Sequence, residues 1–243
     1  MKNLPALIIS SLLFFSCNKK DFSAHPANNL SVGASAHDLL SAQQYTAVKI
    51  EIQYMAGFAP TATTINNLTN FLNSVINKPG GIEVIQNEVA AASTTLNLQD
   101  IALIEKNNRT VYTSGNQLGL YFLFTNGGYT QSNVLGIAYQ NTSMCLFGKT
   151  IHDNSGGIGQ ASRIKLESAV IEHEAGHILG LVDIGTAMQT NHIDPGHANH
   201  CNNSNCLMYY ASETSDALGF LVTGNIPSLD ANCLADLHAN GGK

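Results

Sequence analysis

The chain has 243 residues, with only 11 Lys and Arg against 17 Asp and Glu, and a formal net charge of -6. So few cations, with no basic run, argue against nucleic acid as a partner. The roughly 200 residues beyond the N-terminal segment suit one domain with a sizeable core, and no internal repeat divides them.

The chain opens Met1-Lys2-Asn3, followed by an apolar run from Leu4 to Phe15. A basic start before about a dozen apolar residues predicts a secretory signal over 1–16, too short to span a bilayer as a mature helix. Ser16-Cys17 resembles the lipobox of bacterial lipoproteins. The resemblance implies cleavage before Cys17, acylation of its thiol and a lipid anchor in the bacterial cell envelope. Residues 17–44, rich in Ser, Ala and Asn, read as a flexible linker, which leaves 45–243 as the domain. With Cys17 lipidated, Cys145, Cys201, Cys206 and Cys233 remain, and an exported chain can pair them. The expected pairs are Cys201 with Cys206 and Cys145 with Cys233. A structural metal site built from the same thiols is the competing reading.

From residue 47, AVKIEIQY alternates, with Val48, Ile50, Ile52 and Tyr54 on one face and Lys49, Glu51 and Gln53 on the other. That pattern predicts a half-buried strand. After the turn at Pro60, Ile65, Leu68, Phe71, Leu72, Val75 and Ile76 recur at helical spacing. Thr63 or Thr64 is expected to cap this helix and NKPGG to stop it. GIEVIQNEV predicts a second strand and LQDIALIEK a short helix. GLYFLFTNGGY and SNVLGIAY predict two more strands, and TSMCLFGKTI another. A long helix from about Ile164 to Leu179 follows. SLDANCLADLHAN closes the chain as a helix capped by Ser228. This order predicts an α/β domain with a mixed, twisted sheet.

The chemistry concentrates in HEAGHILGLVD, His173 to Asp183. Helical residues four apart share a face, so His173 and His177 aim their imidazoles at one point, a spacing suited to a single zinc ion. Glu174, set beside that ion, is the candidate general base for a water that the metal activates. Without a metal, a buried carboxylate and two imidazoles would need other partners. Gly180 lets the chain leave the helix with positive φ. No phosphate-cradling glycine loop, Gly-x-Ser-x-Gly elbow or dinucleotide fingerprint competes with this motif.

HEAGHILGLVD resembles the extended zinc motif of the metzincin metallopeptidases, His-Glu-x-x-His-x-x-Gly-x-x-His, with Asp183 where the third histidine usually stands. A snapalysin-like branch uses aspartate there. NCLMYY resembles the methionine turn, which implies Met208 beneath the zinc. Tyr210, two residues on, matches a tyrosine of astacin-like and serralysin-like members that stabilises the oxyanion. HANHCNNSNCLM resembles the archaemetzincin ending, in which the histidine before the first cysteine is the ligand. That points to His200 as the alternative to Asp183 for the third ligand, with His192 and His197 in the same segment also open. The wider chain is similar to lipid-anchored metalloproteases of Bacteroidetes-type bacteria.

The resemblance implies a metzincin-like catalytic domain over 45–243, with a mixed twisted sheet, an active-site helix, the methionine turn and a C-terminal helix. It further implies one catalytic Zn2+, a protein or peptide substrate, and an antiparallel edge strand that binds substrate by strand addition. TSMCLFGKTI is the candidate strand. The expected activity is zinc-dependent endopeptidase cleavage. The competing expectation is a surface-binding lipoprotein whose zinc is structural, closed by four protein ligands such as Asp183 and His200 together.

Overall fold

The alternating segment from residue 47 forms the centre of a five-stranded sheet in a computed structural model that describes residues 28–212, 214, 221–222 and 224–243. The expected signal at 1–16 and Cys17 lie outside the described residues. In chain order the first elements are α1 (Ala36–Leu40), β1 (Ala47–Met55), α2 (Ala62–Val75), β2 (Ile82–Val89), β3 (Thr95–Leu96), α3 (Leu98–Asn108) and β4 (Gln117–Phe124). They continue as β5 (Gly128–Tyr129), β6 (Gly136–Gln140), β7 (Ser143–Leu146), α4 (Gly148–Asp153) and α5 (Arg163–Ile178). A short hairpin, β8 (Ile193–Asp194) and β9 (His197–Cys201), a 3-10 turn (Tyr210–Ser212) and α6 (Ala231–Ala239) follow among the described residues.

The strand order is β2-β1-β4-β7-β6. β1 pairs in parallel with β2 and β4, β4 pairs in parallel with β7, and β6 joins antiparallel to β7 at the edge. The sheet is therefore mixed, as expected. Helices α2 and α5 pack together over one face, against Val48, Ile50 and Ile52 of β1 and Leu120 and Phe122 of β4. The opposite face buries Tyr121, Leu123, Cys145 and Phe147 with Ile101 of α3. Among the described residues no helix is long and apolar enough to cross a membrane.

Several expectations need correction. β1 is not half-buried, because Glu51 and Gln53 on its polar face are 0% and 2% exposed. Their polarity serves an internal network. Glu51 accepts hydrogen bonds from the Thr110 and Val111 N–H groups, both at 2.8 Å, and from Gln53 Nε2 at 2.9 Å. This satisfies a carboxylate that would otherwise be costly to bury. The stretch read as linker contains α1, with Leu39 and Leu40 buried in the main core. One helical turn is too short to display a period, so composition alone marked it as a spacer.

The helix caps also move. Thr61 caps α2 through the Thr64 N–H, and Asp230 caps α6 through the Cys233 N–H. TSMCLFGKTI supplies only a four-residue strand before α4 begins, and that strand, β7, is interior. The antiparallel edge is β6, from GIAYQ.

Candidate functional site

Helix α5 begins at an N-cap, Ser162, whose side chain accepts from the Lys165 N–H, and every residue from Leu166 to Ile178 is buried. Burial on all sides holds the two histidines of this helix rigidly. His173 Nδ1–H donates to the Leu207 carbonyl at 2.7 Å. The carbonyl can only accept, so the proton sits on Nδ1 and Nε2 carries the lone pair. His173 Nε2 and His177 Nε2 lie 3.1 Å apart. Burial, then the neighbouring His173 and His200, hold His177 well below the usual histidine range, so its ring is neutral.

The third member of the group is His200, on β9. Its ring stacks on His173 at 5.3 Å and meets His177 edge-on at 5.2 Å. His200 Nδ1–H donates to the Ala198 carbonyl at 2.9 Å, which again directs the Nε2 lone pair at the group. One ligand atom from each of His173, His177 and His200 lies within 4.8 Å of the other two. Three imidazoles, each pair in ring contact and two of them oriented by backbone carbonyls, fit a zinc ion with three nitrogen ligands.

Asp183 is not part of the group. Helix α5 ends and the chain turns through left-handed Gly180, Val182 and Asp183, at φ 79°, 55° and 66°, which leaves Asp183 exposed. The other two histidines are also elsewhere. His197 stacks on Tyr210 with ring centroids 3.5 Å apart and pairs with Asp194 at 2.9 Å.

Met208 is fully buried against α5, where a Cβ on Gly176 would come within 2.3 Å of its sulfur. The missing side chain at Gly176, one residue before His177, is what lets the methionine approach the helix so closely. Tyr210 is half-buried in the 3-10 turn, which packs on α5 and β9. Glu174 is 1% exposed, and its Oε2 accepts the Ala138 N–H of β6 at 2.6 Å. A Cβ on Gly136 would fall 2.6 Å from Val170 and 3.0 Å from Glu174. The edge strand thus yields space to the carboxylate and then anchors it. Neither Ala138 N–H nor the Leu207 carbonyl has a side-chain signature, so sequence reasoning had no means of finding them. On the other flank of α5, burial pushes the Glu172 carboxyl up to about 7.

The cysteines form a second group. Cys145, Cys201, Cys206 and Cys233 are all buried thiols. The expected Cys145–Cys233 pair is ruled out by the fold, because alternation along β7 turns Cys145 to the α3 face while Cys233 lies in the main core. The expected Cys201–Cys206 bond is likewise absent, and Cys206 Sγ instead lies 3.6 Å from Cys233 Sγ. His192 Nδ1 is 3.4 Å from Cys201 Sγ and 4.0 Å from Cys233 Sγ, while its Nε2–H donates to Asp236 at 2.8 Å. The carboxylate fixes the tautomer that turns the Nδ1 lone pair to the sulfurs. Hydrogen bonding from Cys233, helped by the Asp230 and Met208 N–H groups, lowers the Cys206 thiol to about 7. One ligand atom from each of His192, Cys201, Asp230 and Cys233 lies within 4.8 Å of the other three, so this group could hold a metal ion, with Cys206 beside it at Cys233. His192, sought as a catalytic ligand, belongs here.

The fold is that of archaemetzincins. The crystal structure of archaemetzincin from Methanopyrus kandleri superposes with a TM-score of 0.55 at 13% identity, over 80% of this chain and 96% of that one. Metalloproteinase-II from Bacteroides fragilis aligns with a TM-score of 0.43 at 12% identity, over 88% of this chain and 58% of that one. No protein-family model and no curated protein sequence matches the chain.

Proposed function

We propose that the protein is a zinc-dependent endopeptidase. The observation that carries this reading is the convergence of His173, His177 and His200 beside a buried carboxylate anchored on an edge strand. Zinc held by these three nitrogens would supply a Lewis acid for the scissile carbonyl and for the attacking water. Glu174 takes the proton of that water on one carboxylate oxygen and delivers it to the departing amine, while the Ala138 N–H steadies the other oxygen. Tyr210, stacked on His197, is proposed to donate its hydroxyl to the oxyanion. The backbone edge of β6 on either side of the Ala138 N–H, which Glu174 holds, is proposed to take the substrate as an added strand. The exposed position of Asp183 leaves three protein ligands, which supports an open catalytic site over a closed structural one.

We further propose a second, structural ion held by His192, Cys201, Asp230 and Cys233, and a lipid anchor at Cys17 that tethers the enzyme to the cell envelope. The test of the central reading is Glu174→Gln with an unfolded protein as substrate. The variant is expected to retain its metal and lose at least about a hundredfold in turnover, as loss of a general base does. Normal turnover by the metal-loaded variant would overturn it.

A further inference from the structure

A cavity of about 1220 Å³ opens on the far flank of α5, between α2 and α6. Its walls are carbon-rich, with Phe71 and Val75 from α2 opposite Leu229 and Leu234. Glu172 of α5 lines it and is only 7% exposed. No hydrogen bond or ion pair from the described residues reaches this carboxylate, so its oxygens are left to face the cleft. A carboxylate on an otherwise carbon-rich wall is complementary to a cationic donor.

Three of the polar side chains that line the cavity are engaged elsewhere, while Asn70 and His238 stand at exposed positions on its wall. Asn67 Nδ2 donates to Ser168 Oγ, Ser74 Oγ to the Phe71 carbonyl, and Lys243 Nζ at the rim to the Asn73 carbonyl. A peptide laid in the cleft would bring an N–H and a C=O at every residue, and no strand edge borders the cavity to satisfy them. The complementary occupant has an apolar body and a single donor head.

We propose that this cavity is a binding site for a small amphiphilic amine, its alkyl chain between α2 and α6 and its ammonium group on the Glu172 carboxylate. The site is separate from the metal centre, although His173 follows Glu172 on the same helix.

Calorimetric titration of the metal-loaded protein with octylammonium, octanoate and octanol tests the proposal. Octylammonium is expected to bind at one site at least tenfold more tightly than the other two. Glu172→Gln should abolish that preference, and His200→Ala should preserve it, which separates the site from amine ligation of the metal. Ala235→Trp, at an exposed position on the cavity wall, should block binding and guards against a Glu172 variant that fails to fold. Absence of octylammonium binding, equal binding of octanol or octanoate, or an affinity unchanged in Glu172→Gln or Ala235→Trp would overturn the proposal. So would a signal that disappears in His200→Ala.

Discussion

Glu174 and Gly136 are two halves of one arrangement. The carboxylate lies at the sheet edge only because residue 136 has no side chain, and the Ala138 N–H two residues on then holds it. Gly136→Val should displace Glu174 and Val170 together, cutting peptide cleavage by more than tenfold while both metal contents stay unchanged. Activity assays beside metal analysis check this. Gly180 has a different task. Its φ of +79° and a would-be Cβ at 2.7 Å from the Thr186 nitrogen combine left-handed backbone with contact against main chain. Gly180→Ala should therefore cost about 1–3 kcal/mol, seen as a lower denaturant midpoint at unchanged slope. A variant as stable as the parent would show that the turn after α5 relaxes at no cost.

At the level of elements, the strongest test concerns α1. Leu39 and Leu40 are fully buried, and Lys78 Nζ reaches from beyond α2 to the carbonyls of Asp38, Ser41 and Tyr45. Burial of one such leucine contributes about 1.5–3 kcal/mol, so a chain beginning at Gln44 should unfold at clearly lower denaturant than one beginning at Asn28. Equal midpoints would restore the segment to the status of a spacer. The two long helices and the central strands were legible because they are long enough to repeat a 3.6 or 2.0 period several times. α1 was not, since five residues display no period. The burial of Glu51 was hidden for another reason. Alternation reports side-chain polarity, and here the polar face of β1 is covered by the segment at Thr110 and Val111. The edge position of β6 depended on sheet order, which local pattern does not encode.

The whole molecule ties its two metal-competent groups through one strand. His200 and Cys201 are consecutive on β9, and side chains in a strand alternate in direction, so one joins the three-histidine group and the other the thiol group. The Cys201 N–H also donates to the Met208 carbonyl at 2.8 Å, and Cys206 lies two residues before Met208. The cysteines therefore join the hairpin, the turn at Met208 and, through Cys233, helix α6. The motif at 173–177 was readable from spacing alone, whereas a group drawn from residues 192, 201, 230 and 233 is assembled only by tertiary packing. If both groups hold zinc, the purified protein should carry two ions per chain. Cys233→Ser should lose one of them and a correspondingly large share of stability, since a ligand present at about a thousandfold its Kd contributes about 4 kcal/mol. It should also weaken the remaining ion, because His200 loses its fixed neighbour. His200→Ala should instead lose the other ion and all cleavage, with a melting temperature closer to the parent. Metal content, melting temperature and activity measured together distinguish these outcomes. A Cys233→Ser protein that kept two ions and an unchanged melting temperature would refute the division of labour between the two groups.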